Sequence, residues 1–134
     1  MEKYKVLPHL ADLKIRVFGR DRKELFANAL LGMFESIEPD IISREEHPRK
    51  IEVSSKSEEL ILVDFLSEAL YQSDVHNESY HGVKFEIFEP TKIIAHLIGY
   101  PVKGFREEIK AVTYHDFSIN KTKDGLEANI IFDI

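Results

Sequence analysis

The chain has 134 residues, a hydrophobic fraction of 43% and a formal net charge of −6. Its length suits one domain spanning 1–134 with a core of its own. The absence of cysteine excludes disulfides, thiolate metal sites and cysteine nucleophiles, and the acidic balance speaks against strong direct binding of nucleic acid, which needs a basic stripe.

The chain opens on a short predicted strand at Tyr4 to Leu7, interrupted by Pro8. The run Leu13 to Gly19 alternates, with Leu13, Ile15 and Val17 on one face and Asp12, Lys14 and Arg16 on the other. That pattern predicts a half-buried strand. The longest locally basic stretch, Lys14 to Lys23, is short and broken by Asp21, and is read as solvated surface.

Asp21 is placed to cap a helix, with Glu24 three residues on in a capping-box arrangement. Leu25, Ala29, Met33 and Ile37 step by four, and Phe26, Leu30 and Phe34 widen the stripe into a core face. Pro39 is expected to end the helical region, and residues 40–50 read as a polar connection. Lys50 to Ser54 reads as a strand. Ser55 or Ser57 then caps a second helix running to about Tyr71, with so many apolar positions that it should be the most buried element. Asp64 and Glu68 share its remaining polar edge.

Residues 72–82 read as a loop. Val83 to Phe88 and Ile93 to Ile98 read as a hairpin turning at Glu89-Pro90-Thr91-Lys92. Residues 99–108 read as a second loop. Residues 109–120 alternate as one strand, which puts His115 and Asp116 on opposite faces. Asp124-Gly125 is a strong hairpin signal leading into the final run. There Leu126, Ala128, Ile130, Phe132 and Ile134 fall on one face, predicted buried. Two helices among these strands predict an α+β fold, a two-layer sandwich with both helices on one face of a mixed β-sheet. The first strand–helix–strand unit suits a right-handed crossover.

Segments long and apolar enough to span a bilayer are absent, and residues 1–15 lack the apolar core of a signal peptide. The expected location is the cytoplasm, with no membrane partner. Gly-rich phosphate loops, H-E-x-x-H and G-x-S-x-G are also absent. Three clusters remain as candidates for chemistry. His9 and Asp12 precede the first long strand. Asp133 stands beside the carboxylate of Ile134, and with Asp12 these groups would form an all-oxygen donor set suited to calcium or magnesium. Lys110, His115 and Asp116 supply proton-transfer groups, although regular alternation separates His115 from Asp116.

Three blocks, taken together, resemble the archease family. They are His9-x-Ala11-Asp12-x-x-Ile15-x-Val17-x-Gly19 with the helix after it, Glu59-Leu60-x-Leu62-Val63-Asp64-Phe65-Leu66-x-Glu68, and Ile109-Lys110-Ala-Val-Thr-Tyr-His115 with Phe132-Asp133-Ile134. The resemblance implies a non-catalytic accessory protein for the GTP- and metal-dependent RNA ligase of tRNA splicing. Such a protein promotes guanylylation of the ligase histidine, sustains multiple turnover and broadens nucleotide use. It also implies a metal site at Asp12, Asp133 and Ile134, with calcium the expected ion. His9, Asp64, Lys110 and His115 are candidate partner-facing residues. Two rival readings stand beside it: a free-standing metal-dependent phosphoester hydrolase using the same carboxylates, and a general chaperone or adaptor working through exposed apolar surface.

Overall fold

The computed structural model describes residues 2–7 and 12–134. His9 lies outside the described residues. The order of elements is β1 (Tyr4–Leu7), β2 (Asp12–Gly19), α1 (Arg22–Ser36), β3 (Pro39–Ile41), β4 (His47–Ser54), α2 (Ile61–His76), β5 (Glu78–Glu89), β6 (Lys92–Phe105), β7 (Ala111–Val112), β8 (Ile119–Thr122) and β9 (Gly125–Asp133).

The α+β class holds, with two helices packed against antiparallel strands. The strands divide into two sheets. One runs β1-β2-β9-β7, with β8 also on β9. In the other, the long β6 pairs with β3, β4 and β5. Because β2 belongs to the first sheet and β3 and β4 to the second, the first strand–helix–strand unit is not the expected crossover within one sheet. The chain uses α1 to pass between sheets.

The helices form where their sequence dictates. Asp21 is extended and its carboxylate accepts from the Glu24 amide at 2.9 Å, while Glu24 reaches back to the Arg20 amide at 3.1 Å. These bonds satisfy donors that a helix start leaves open. The apolar face of α1 is core: Leu25, Phe26, Ala29, Leu30 and Met33 are inaccessible to solvent. Phe26 meets Phe65 of α2 and Phe88 of β5 at ring-centroid distances of 5.7 and 5.2 Å. The helix stops at Ser36, before Pro39, and Pro39 opens β3 instead. Ahead of α2, the Ser57 hydroxyl accepts from the amides of Glu59 and Leu60, so it caps the turn leading into the helix.

Several loops of the sequence reading are regular structure. The second helix runs on to His76, closed by Asn77 in the left-handed conformation, and β5 begins at Glu78. Residues 40–50 contribute to β3 and β4, and β6 continues to Phe105. Polar residues masked these extensions because each strand has one face in solvent. One buried polar group fastens the start of β5. Glu78 is almost wholly buried and accepts from Arg49 at 2.7 Å and from the Tyr80 hydroxyl at 2.9 Å. Burial opposes its charge, but these two hydrogen bonds and the guanidinium outweigh it and hold the carboxyl below the usual range.

Candidate functional site

The β2–β9 ladder sets the geometry. Its eight antiparallel pairs run from Gly19 opposite Leu126 at one end to Asp12 opposite Asp133 at the other. Residues directly opposite on an antiparallel pair have Cβ atoms roughly 5 Å apart. The central pair of the first sheet, β2 and β9, thus brings together two carboxylates that are far apart in sequence. The buried residues Ile15, Val17, Ala128, Ile130 and Phe132 fix this register, because a slip of one residue would turn them to solvent.

On its other edge, β9 receives β7, with Ala111 opposite Asp133. The Lys110 amide donates to the Asp133 carbonyl at 2.7 Å. The same sheet end therefore gathers Asp12, Asp133 and the backbone of Lys110. Ile134 follows directly but is not on a buried face, being 36% exposed.

The segment after β7 departs from the expected single strand. The Thr113 amide still reaches the Ile131 carbonyl, but then a turn forms, with the Phe117 amide on the Tyr114 carbonyl and Asp116 at φ 52. Pairing with β9 resumes only at Ile119. This break overturns the separation of His115 from Asp116. The His115 Nε2 lies 3.2 Å from the Asp116 carboxylate, both side chains well exposed, because the turn abolishes the strict alternation of a strand. The same break frees Tyr114 to donate its hydroxyl to Asp64 of α2. That bond to a carboxylate, reinforced by partial burial, raises the Tyr114 phenol above its ordinary range. Asp64 and Glu68 are therefore not an idle like-charged pair, since Glu68 accepts from Gln72 at 3.1 Å. No local signal in the sequence links residues 64 and 114. Only the fold places them together.

Asp12 and Asp133 are hard oxygen donors, and their pairing suits a hard divalent cation. Among the described residues, no group of three His, Cys, Asp or Glu side chains assembles that could hold a metal ion. A cation here would therefore complete its shell with main-chain oxygens and water.

A two-helix α+β domain with a carboxylate pair at the end of its central ladder is the class of protein these observations define. The model of the archease protein family (MTH1598/TM1083) matches residues 4–134, and the chain belongs to the archease family. It is 36% identical over 141 residues to a protein archease of Methanosarcina barkeri, with 99% of this chain and 97% of that protein covered. The protein archease of Methanosarcina acetivorans is 34% identical over 146 residues, with the same coverage. Among solved structures, protein 1598 of Methanobacterium thermoautotrophicum superposes with a TM-score of 0.69 at 26% identity, over all of both chains. An archease from Thermotoga maritima shares the fold with a TM-score of 0.63 at 22% identity, covering 97% of this chain and 96% of that one. No helix among the described residues is long and apolar enough to cross a membrane.

Proposed function

We propose that this archease is a non-catalytic activator of the tRNA-splicing RNA ligase. It promotes guanylylation of the ligase histidine, sustains multiple turnover and widens nucleotide use. The observation that carries the reading is the in-register pair of Asp12 and Asp133 in a chain of this family. The pair, with the main-chain oxygens of Ile134, would hold a divalent cation, calcium first, since calcium tolerates irregular oxygen shells. When bound, such an ion supplies a positive charge that attracts phosphate oxygens.

The chain's own residues supply the rest. Asp12 and Asp133 present the donor set on a rigid ladder end. The backbone bond from Lys110 to Asp133 holds the last residues of β9 in place. Asp64 and Tyr114 tie the adjoining turn to α2, so the surface around the tip is fixed before a partner arrives. Lys110 and His115 are exposed and are the side chains expected to meet that partner. The overall negative charge favours encounter with a basic, RNA-binding enzyme over RNA itself.

The test is RNA ligation with RNA in excess over ligase. Wild-type protein is expected to restore turnover, and Asp12→Ala and Asp133→Ala are expected to lose it while remaining folded. Full stimulation by either Ala variant contradicts the reading, as does phosphoester hydrolysis by the purified protein alone.

A further inference from the structure

The opposite end of the β2–β9 ladder carries a feature that ligase activation does not use. The turn between β8 and β9 closes against the corner between β2 and α1. Gly125 makes this possible: it has φ +150, and a Cβ there would lie 2.3 Å from the Gly19 carbonyl oxygen. Gly19 is as tightly placed, because its Cβ would fall 2.3 Å from the Leu25 amide nitrogen. Two glycines thus let the backbones meet, and beside this turn, with Gly125 in its wall, lies a wide-mouthed depression of about 570 Å³. That volume is in the range of small-molecule sites.

The lining is basic in a chain whose net charge is −6. Arg20, Arg22, Lys23 and Lys121 all face the cavity, against a single carboxylate, Asp21. Asp21 is already engaged as the cap of α1, and Arg20 is paired with Glu24 at 2.9 Å. The other three cations have no carboxylate partner among the described residues. Arg22 is instead held open: its guanidinium lies 5.2 Å from the Phe26 ring centre and 5.9 Å from that of Phe88, and it donates to the Glu58 carbonyl. A guanidinium oriented by aromatic rings and a backbone carbonyl is pre-set for a planar or tetrahedral anion. Phe88 and Leu126 add an apolar wall.

We infer that this cavity binds a nucleoside diphosphate or triphosphate, with the phosphates against Arg22, Lys23 and Lys121 and the nucleoside against Phe88 and Leu126. Several uncompensated cations in one concavity fit a compact polyanion. They do not form the extended stripe that a nucleic-acid backbone requires. The apolar wall favours a ligand with a body over bare phosphate. The site lies seven residue steps along the ladder from Asp133, roughly 23 Å at strand rise, and is independent of the activation reading.

The test is calorimetric titration of the full chain with ADP, adenosine, inorganic pyrophosphate and a hexaglutamate peptide, without added metal. ADP is expected to bind more tightly than any of the others. The double variant Lys23→Gln/Lys121→Gln is expected to weaken ADP by roughly tenfold or more, since each removed contact is charge-assisted. Asp12→Asn, at the far end, is expected to leave ADP affinity unchanged and to affect only cation binding and ligase stimulation. Retained ADP affinity in the double variant, no preference for ADP over adenosine, equal binding of pyrophosphate, or tighter binding of the acidic peptide would each overturn the assignment.

Discussion

One ladder has two unlike ends. At the Asp12–Asp133 end, two carboxylates stand opposite each other in the last pair among the described residues. At the Gly19–Leu126 end, cations surround a concavity formed by two tightly packed turns. Like charges placed directly opposite on a sheet destabilise it, and unpaired cations gathered in a cleft repel one another. Neither end is what stability alone would select. The middle of the ladder supplies that stability, through Ile15, Val17, Ala128, Ile130 and Phe132. The comparison teaches that one rigid core presents two unlike charge patterns at its two ends.

The largest expected effect comes from breaking the anchor of the acidic end. Phe132 is inaccessible to solvent one residue before Asp133. Phe132→Ala is expected to destabilise the fold by about 4 kcal/mol, measured by urea denaturation, and to loosen the Asp12–Asp133 pair with it. A next, smaller effect is remote from both ends. Glu78→Gln takes from the half-buried Arg49 its charged partner and is expected to cost about 2 kcal/mol at neutral pH. Because the folded-state pKa of Glu78 is lowered, its stabilising contribution is present above the ordinary glutamate range and is lost as pH falls through the folded value. Wild-type denaturation midpoints should therefore drop in acid more steeply than those of the variant.

The basic end has its own anchor. Gly125→Ala forces a side chain into a left-handed conformation against the Gly19 carbonyl. It is expected to cost about 2 kcal/mol and to distort the cavity, so ADP affinity should fall while cation binding at the acidic end persists. The smallest stability effect is the most pointed. Asp133→Asn removes one of the two carboxylates without touching the core, so in the absence of metal it is expected to shift stability by no more than about 0.5 kcal/mol.

Much of this was legible in the sequence where side-chain periodicity matched burial. The stripe of α1, the apolar run of α2 and the alternation of β2 and β9 all became core. The turn at Pro90-Thr91 and the terminal hairpin are where their turn residues put them. Periodicity is blurred in segments with a solvent face, where the polar residues of 72–82 and 99–108 conceal the end of α2, the start of β5 and half of β6. Periodicity also misleads where a turn interrupts alternation. Residues 113–118 keep a strand-like pattern, yet a left-handed Asp116 breaks them and joins His115 to Asp116 and Tyr114 to Asp64. At the candidate site, the carboxylates were recognisable by type and by family pattern. Their meeting was not, because cross-strand register is a property of the sheet. The basic cavity was visible only as a short charged stretch, since Phe88, Lys121 and Leu126 come to it from elsewhere in the chain.

The central claim is that Asp12 and Asp133 are paired to hold a cation. The most direct measurement is the thermal unfolding of wild type and of Asp12→Asn/Asp133→Asn, each with and without calcium. Saturating calcium, at about 100 times its dissociation constant, is expected to stabilise the wild type by about 2.7 kcal/mol and to leave the double variant unmoved. An equal calcium-dependent shift in both proteins, or none in the wild type, would contradict the claim.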